Sequence, residues 1–187
     1  MSQSPSTDVA ALILAGGKAT RLGGIAKHEL VIEGATILSR QAAVLSPRVA
    51  EILVSSPTEI AGYRTVHDAI VGVGPLAGIA AGLAATIRPW LLVVAGDMPY
   101  ITSELIDALI AARDPGLDAV GVRSGGLPEP LCCLLHVRCR EVIGRRLAGA
   151  RFKASGLLTD EGLRVRWLAD TDPAALRNLN SPADLPK

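Results

Sequence analysis

Short apolar segments alternate with segments of helical periodicity along most of the chain. The strand candidates are runs or short alternations of Val, Ile, Leu and Ala, a pattern typical of strands whose faces are covered. They occupy residues 9–15, 51–55, 64–67, 90–95, 118–122, 129–136 and 163–168. The helix candidates repeat apolar side chains every three to four positions after a capping residue or a proline. They occupy residues 36–46, 75–87, 102–112, 138–147 and 151–161, and a further short helix is expected from residue 181.

This strand–helix alternation predicts a mostly parallel, twisted sheet with right-handed crossovers and helices on both faces. We therefore expect an α/β fold of three layers and Rossmann-like type. Residues 129–136 are the candidate for a strand that runs antiparallel to its neighbours. The polar start of the chain predicts a disordered lead over residues 1–8, and the length predicts one domain over residues 9–187.

Composition excludes several classes of protein. The 187 residues are 49% hydrophobic and carry 19 basic against 18 acidic side chains, so no broad attraction to nucleic acid or to a membrane is expected. No run of eighteen apolar residues and no apolar leader is present, which predicts a cytoplasmic protein without a membrane span. Cys132, Cys133 and Cys139 are odd in number and clustered, and we expect them to be buried as small apolar side chains.

The most informative stretch follows the first strand candidate, over residues 12–27. Four glycines occur there together with Lys18, Arg21 and Lys27. Glycine lets a backbone turn sharply and approach a ligand closely, and nearby cations add charge complementary to a polyphosphate. The spacing fits neither the P-loop nor the dinucleotide-binding fingerprint. We interpret the stretch as a nucleotide-binding loop of another kind.

Glycine or a polar residue stands at the carboxyl end of several predicted strands. Gly16, Ser55, Asp68 and Asp97 all stand at such ends. Ligands of open α/β sheets bind at the carboxyl ends of the strands, so these residues are expected to converge on one site. Asp68 is open to three interpretations at this point: a ribose or base contact, a contact to metal-bound water, or a turn aspartate.

Asp97 is the candidate metal ligand, because it follows a buried strand in a Gly-Asp-Met-Pro context and Mg²⁺ prefers few carboxylates beside phosphate oxygens. Arg21 and Lys27 are expected to meet the triphosphate, the first through its forked donors and the second as a point charge. No Ser-His-Asp or Cys-His arrangement suggests a covalent mechanism. A phosphoryl-transfer site needs mainly positioning and charge neutralisation, which this set can supply.

Four motifs occur in a fixed order: Leu-Ala-Gly-Gly with the arginine and lysine that follow (residues 14–27), Gly-Pro-Leu-Ala-Gly (74–78), Asp-Met-Pro-Tyr-Ile (97–101) and Asn-Leu-Asn-Ser-Pro (178–182). This combination resembles the molybdenum cofactor guanylyltransferases of the nucleotidyltransferase superfamily, over about residues 9–185. The paired glycines at 16 and 17 look like the guanylyl type, since cytidylyl relatives tend to carry Ala-Ala-Gly there.

The resemblance implies a role for particular residues. Backbone atoms of the first motif would contact guanine, and Asn178 and Asn180 would lie near the pterin substrate. The residues expected to bind nucleotide are Leu14, Ala15, Gly16, Gly17, Arg21, Lys27, Ser55, Asp68 and Asp97. The residues expected to be catalytic are Arg21, Lys27 and Asp97, with Asp97 also holding Mg²⁺.

The reaction implied by the resemblance is attack by the terminal phosphate of molybdopterin on the α-phosphorus of GTP, with release of pyrophosphate. GTP, molybdopterin and Mg²⁺ are thus the expected partners, and transient contact with molybdoenzyme assembly proteins is a further expectation. No side chain suggests itself as a general base, and a phosphate monoester does not require one.

Two positions depart from the family pattern. Ala26 stands where the family often has Asp, and Ser55 stands where it often has Asn, a side chain with more hydrogen-bonding groups than Ser. Three other functions therefore remain open. They are a nucleotidyltransferase that uses CTP, a nucleotidyltransferase that uses another phosphorylated acceptor, and a non-catalytic nucleotide-binding homologue.

Overall fold

The computed structural model describes residues 6–16, 26–68, 72–159, 162–169 and 171–179. Its strands and helices follow one another largely as the apolar pattern predicts. In chain order the elements are β1 (Ser6–Leu14), a 3₁₀ helix (Lys27–Glu29), β2 (Val31–Ile32), β3 (Ala35–Thr36), α1 (Ile37–Leu45), β4 (Val49–Ser55), β5 (Arg64–Val66), α2 (Pro75–Ala85), β6 (Trp90–Ala95), α3 (Ser103–Ala111), β7 (Ala119–Ser124), β8 (Leu127–His136), α4 (Cys139–Ala148), a second 3₁₀ helix (Ala154–Gly156) and β9 (Val165–Trp167).

Seven strands form one sheet in the order β5-β4-β1-β6-β8-β7-β9, while β2 and β3 make a separate hairpin. Every neighbouring pair in the large sheet is parallel except the two that include β8. The mostly parallel sheet and the antiparallel strand are thus confirmed. The strand order reverses between β1 and β6, so their carboxyl ends form the topological switch point at which such sheets bind ligands.

Alternate residues of β1 enter two separate hydrophobic layers, because successive side chains of a strand point to opposite faces. Val9 and Ile13 belong to the layer that α1 and α3 cover, whereas Leu12 belongs to the layer that α2 and α4 cover. All three side chains are fully buried. Helices therefore lie on both faces of the sheet, and the three-layer α/β fold is confirmed.

Helix α2 lies close to β1 and β4 at its two glycines. A Cβ at Gly78 would lie 2.5 Å from Oγ of Ser55, and a Cβ at Gly82 would lie 2.6 Å from Cδ2 of Leu12. Both distances are shorter than real Cβ contacts, so a larger residue at either position would require the Ser55 or Leu12 side chain to shift. The helix begins with Pro75 in its first turn, where the absent N–H costs nothing.

The N-terminal prediction is wrong for residues 6–8. These residues form the start of β1, because the N–H of Ser6 donates to the carbonyl of Arg48 (3.0 Å) and Ser6 pairs with Val49 of β4. Residues 1–5 lie outside the described residues. That residues 9–187 form a single domain stays a prediction.

The helix predicted over residues 151–161 is also wrong. Over residues 151–159, which the structure describes, the one helical element is the 3₁₀ turn Ala154–Gly156. Leu157 and Leu158, which follow this turn, are buried in the layer that also contains α2 and α4. The helix expected from residue 181 lies outside the described residues. Among the helices that the structure does describe, none combines the length and apolarity needed to span a bilayer.

Candidate functional site

The carboxyl ends of β1, β4 and β6 lie side by side at one edge of the sheet. Leu14 pairs with Ser55 of β4 and with Ala95 of β6, so the three strands end at the same level. Two backbone hydrogen bonds extend this alignment: the Ala15 N–H donates to Ser55 O (2.9 Å), and the Gly96 N–H donates to Leu14 O (3.0 Å). The structure thereby brings together strand ends that the sequence predicted to converge.

A cleft of about 240 Å³ opens at these strand ends. The predicted nucleotide-binding residues contribute a large part of its wall, and residues from α2 and β8 complete it. The lining residues are Leu14, Ala15, Gly16, Lys27, His28, Pro75, Ala95, Gly96, Asp97 and Leu131. Gly17, Lys18, Arg21 and Asn180 lie outside the described residues.

Lys27 and Asp97 form a salt bridge within this cleft. Nζ of Lys27 lies 2.7 Å from Oδ2 of Asp97, and the two side chains are 25% and 21% exposed, so a ligand in the cleft can reach both. Oδ1 of Asp97 accepts no hydrogen bond from a described residue. The cleft thus presents a cation and a carboxylate together, which suits a phosphate chain and its counter-ion.

Asp97 occupies a tight turn over residues 95–98, which we call the Asp97 turn. The turn is closed by the Met98 N–H, which donates to Ala95 O (3.2 Å). A Cβ on Gly96 would lie 2.6 Å from the carbonyl oxygen of Leu14. Only glycine therefore allows the turn to approach β1 this closely, and this contact fixes where the Asp97 backbone stands.

The segment near the end of the described chain also contacts the Asp97 turn. The Leu179 N–H donates to the backbone carbonyl of Asp97 (2.9 Å). Asn178, the preceding residue, has a buried Oδ1 with no hydrogen-bond partner within the described ranges. The structure thus brings the predicted substrate-binding residue Asn178 next to a residue that contacts the predicted metal ligand.

On the other side of β1, Ser55 and Asp68 form a pair. Oγ of Ser55 donates to Oδ1 of Asp68 (3.0 Å), with Ser55 buried and Asp68 half-buried. This pair joins the ends of β4 and β5. The Ser55 hydroxyl orients the Asp68 carboxylate, but neither residue is among those that line the cleft.

His28 is a cleft residue that the sequence analysis did not select. Its ring is buried, and Nδ1 lies 3.2 Å from the carbonyl oxygen of Ala15. Because a carbonyl only accepts, Nδ1 carries the proton in this contact. The position directly after Lys27 was the signal in the sequence that could have identified His28.

Glu129 is a second residue that the sequence analysis missed. Burial raises the pKa of the Glu129 carboxyl, and the nearby negative charge of Asp97 adds to the effect. The pairing of β7 with β8 becomes irregular between Gly121 and Arg123, opposite this part of β8, and such irregularities redirect side chains near active sites. A lone carboxylate between two prolines in an apolar strand was the available signal.

The cysteines and the remaining histidines take no part in the cleft. The three cysteines are buried, as predicted, and burial raises the pKa of Cys132 to about 12, which keeps its thiol protonated. His136 packs edge-on against Trp90 with ring centroids 4.9 Å apart. In the described parts of the chain, no three His, Cys, Asp or Glu residues gather as metal ligands.

The donor set at Asp97 fits a hard divalent cation. Mg²⁺ is commonly held in proteins by one or two carboxylates, with phosphate oxygens and water as the other ligands. The Lys27 ammonium beside the carboxylate shows that a cation is accommodated at this point.

The end of β1 at Gly16 and a carboxylate–lysine pair at the switch point of a mostly parallel sheet suit a nucleotidyltransferase, a class of enzyme whose members of this type generally use a divalent metal ion. The class is the same as that of the sequence family whose model matches residues 11–172. The chain belongs to the family of MobA-like NTP transferase domains.

Named relatives of the chain match it over most of their length. A molybdenum cofactor guanylyltransferase of Pseudomonas putida is 32% identical over 177 residues, which cover 91% of this chain and 92% of that protein. A molybdenum cofactor guanylyltransferase of Pseudomonas aeruginosa is 33% identical over 179 residues, covering 91% and 89%.

Solved structures show how widely this fold is shared. Molybdopterin-guanine dinucleotide biosynthesis protein A from Archaeoglobus fulgidus matches with a TM-score of 0.77 at 24% identity over 94% of each chain. The 4-diphosphocytidyl-2C-methyl-D-erythritol synthase from Anaerococcus prevotii matches with a TM-score of 0.70 at 15% identity, covering 95% of this chain and 92% of that one. At such identities the likeness shows the fold alone.

Proposed function

We propose that this protein transfers the GMP unit of GTP to the terminal phosphate of molybdopterin, with release of pyrophosphate, and so forms the guanine dinucleotide cofactor. Relatives named molybdenum cofactor guanylyltransferases, at about 32% identity over most of the chain, support this reaction. The structural observation that carries the proposal is the pair of Asp97 and Lys27, 2.7 Å apart in the cleft at the switch point.

Lys27 binds the phosphates in this proposal. Its ammonium contacts Asp97 in the structure, and a bound triphosphate offers it phosphate oxygens in the same cleft. Arg21 adds its forked donors, and the N–H groups of Gly16 and Gly17 contact the phosphate chain. The assignments of Arg21 and Gly17 rest on the sequence.

The guanine base contacts the backbone of Leu14, Ala15 and Gly16, which line the cleft beside β4. Asp68 and Ser55, joined by their 3.0 Å hydrogen bond, face the ribose or the base from the ends of β4 and β5. A half-buried carboxylate accepts hydrogen bonds from N–H and O–H groups of such a ligand.

In this proposal the acceptor, molybdopterin, lies on the side of Asp97 opposite the guanine and the ribose. Asn178 and Asn180 contact the pterin in this proposal, and the position of Leu179 against the Asp97 carbonyl supports it. The assignment of Asn180 rests on the sequence.

We take the divalent cation to be Mg²⁺, with the Asp97 carboxylate as its protein ligand. When bound, Mg²⁺ offsets the negative charge on the transferred phosphate and on the departing pyrophosphate. Lys27 and Arg21 supply further positive charge at the same oxygens.

The reaction exchanges one phosphorus–oxygen bond for another. An oxygen of the molybdopterin phosphate forms a bond to the α-phosphorus of GTP, and the bond from that phosphorus to the oxygen bridging to the β-phosphate breaks. The electron pair of the broken bond leaves with pyrophosphate. The protein therefore acts by positioning and by charge neutralisation.

Three further candidate functions follow from Ser55 and Ala26, which replace the Asn and Asp that the family often has. The chain then uses CTP or another phosphorylated acceptor, or it binds a nucleotide without catalysis. The intact Asp97–Lys27 pair favours the catalytic function.

Calorimetry with GTP, CTP and ATP, each with and without Mg²⁺, tests the proposal, together with pyrophosphate release in the presence of molybdopterin. We expect Mg²⁺-dependent preference for GTP and pyrophosphate release that requires both GTP and molybdopterin. Preference for CTP would establish the cytidylyl alternative, and the absence of any nucleotide binding would exclude the transferase functions and the non-catalytic nucleotide-binding function alike.

Four other expectations remain predictions: a cytoplasmic location, no nucleic-acid partner, no membrane partner, and transient contact with molybdoenzyme assembly proteins. The near-neutral net charge of +1 is the observation that favours the second and third of them.

A further inference from the structure

Gln41 is a polar residue on the buried face of α1, where the apolar positions include Ile37 and Leu45. The residue is fully buried. Its Nε2 group donates two hydrogen bonds to the exit of β6, one to Ala95 O (2.7 Å) and one to Met98 O (3.0 Å). Both acceptors are backbone atoms at the ends of the Asp97 turn.

The orientation of the Gln41 amide follows from its partners. Carbonyl oxygens only accept hydrogen bonds, so the NH₂ end must face the turn, and both of its hydrogens are used there. Oε1 is buried and accepts no hydrogen bond from any residue in the described ranges. Because an unsatisfied buried oxygen opposes folding, packing alone would favour Leu or Met at this position. The contacts to the turn are what require an amide.

The two accepting carbonyls bracket Gly96 and Asp97. Ala95 O also accepts the Met98 N–H, so Gln41, which does not line the cleft, reinforces the closure of the turn. The position of Asp97 is then fixed on three sides: by Gln41, by the contact of Gly96 with β1 and by the Leu179 N–H.

We propose that Gln41 is a positioning residue for Asp97: by holding both ends of the Asp97 turn, it fixes the direction of the carboxylate and raises the affinity of the site for its divalent cation. The inference rests on the proposed function, in which Asp97 is the cation's ligand. Mutation of a group that orients a metal ligand commonly lowers metal affinity or activity by about 10–100-fold.

Gln41→Met tests this inference, because methionine has a similar length and no hydrogen-bond donor. The matched control is Thr36→Ala, which removes the side-chain cap of α1, a hydrogen bond of 3.1 Å from the Ser39 N–H, without touching the Asp97 turn. The probe is Mn²⁺, titrated in the presence of GTP and followed by electron paramagnetic resonance. Amide hydrogen exchange of Met98 and Leu179 is measured in the ligand-free protein.

We expect Gln41→Met to weaken Mn²⁺ binding by about tenfold and to speed exchange at the Met98 amide. GTP binding without metal should change by less than about twofold, since Gln41 does not line the cleft. Thr36→Ala should lower the melting temperature and leave Mn²⁺ affinity unchanged. A merely structural role of Gln41 would lower the melting temperature in the same way and spare Mn²⁺ affinity.

A folded Gln41→Met variant that binds Mn²⁺ as tightly as the wild type would overturn the inference while leaving the proposed function intact. If that variant does not fold, the side-chain NH₂ group of Gln41 is measured by NMR in the wild type instead. Slow hydrogen exchange of this group and a shift of its resonance on adding Mg²⁺ with GTP would support the inference. Rapid exchange without a shift would overturn it. If the wild type binds no Mn²⁺ with GTP, CTP or ATP, the proposed function and the inference both fail.

Discussion

The two carboxylates at the carboxyl ends of the strands, Asp97 after β6 and Asp68 after β5, are fixed in position in different ways. Asp97 stands in a turn whose backbone is fixed by neighbouring backbone groups and by the buried amide of Gln41. Asp68 is joined to the end of β4 by one side-chain hydrogen bond, from Ser55. The group assigned to the cation is thus fixed by backbone geometry, whereas the group assigned to ribose or base depends on one replaceable side chain.

The largest effect on activity is expected from Asp97→Asn, which removes the carboxylate charge from the Asp97 turn. The kcat/KM for pyrophosphate release should fall by about 10²–10³-fold, because the amide holds the cation poorly where charge must be neutralised. The fold should survive, since the side chain is 21% exposed.

The control for this variant is Asp107→Asn, which removes an exposed carboxylate 2.8 Å from Arg48 and outside the cleft. Its activity should match the wild type. Retention of more than about a third of wild-type activity by Asp97→Asn would contradict the role assigned to Asp97.

Gly96→Ala tests whether backbone contact fixes the Asp97 turn. The added Cβ would lie 2.6 Å from the carbonyl of Leu14, and neither backbone can move aside cheaply. We expect a loss of about 1–3 kcal/mol in the free energy of unfolding, measured in urea, together with reduced activity.

Gly144→Ala is the matched control, because this glycine lies inside α4 with nothing within 4 Å of the new Cβ. It should raise the free energy of unfolding by about 0.5–1 kcal/mol, as expected for alanine in a helix. Equal stability of the two variants would show that the approach of the turn to β1 is not tight.

Ser55→Ala tests the weaker of the two regions. Loss of the 3.0 Å hydrogen bond leaves Asp68 free to turn, so the Kd for GTP should rise by about three- to tenfold with little change in kcat. Ser56→Ala removes the neighbouring buried hydroxyl, which accepts from the Thr58 N–H (3.2 Å), and should leave the Kd unchanged. A fall in kcat larger than the rise in Kd would mean that both regions serve catalysis.

The smallest effect is expected at Glu129, beside the Asp97 turn. Burial raises the pKa of this carboxyl in the folded protein, so the folded state holds the proton more tightly than the unfolded chain. Its contribution to stability therefore falls as pH rises from the ordinary range of a glutamate through the raised pKa.

Glu129→Gln should consequently raise the melting temperature slightly at about pH 7 and not at about pH 3, where both states are protonated. Glu141→Gln, an exposed residue of α4, is the control and should show no such difference. An equal gain at both pH values would show that packing, rather than ionisation, accounts for the effect.

Much of the fold was predictable because its signals are local. Buried parallel strands appear as apolar runs, and their ends appear where Gly, Ser or Asp interrupts them. The two errors, at residues 6–8 and 151–161, arose where distant partners override local preference. The Ser6 N–H donates a hydrogen bond to the carbonyl of Arg48, and Leu157 packs in the hydrophobic layer between the sheet and α2 and α4.

The sequence by itself determined the strand ends that meet at the cleft and the residue types available there, including Asp97 and Lys27, because spacing and residue type belong to the chain. Only the tertiary structure decided which atoms these residues meet. Gln41 looks like an interruption of an apolar helix until α1 packs against β6, and the proximity of Glu129 to Asp97 arises only when β8 pairs with β6. Such contacts join residues far apart in sequence, and the burial of the whole apolar pattern, rather than any local signal, selects which elements come together.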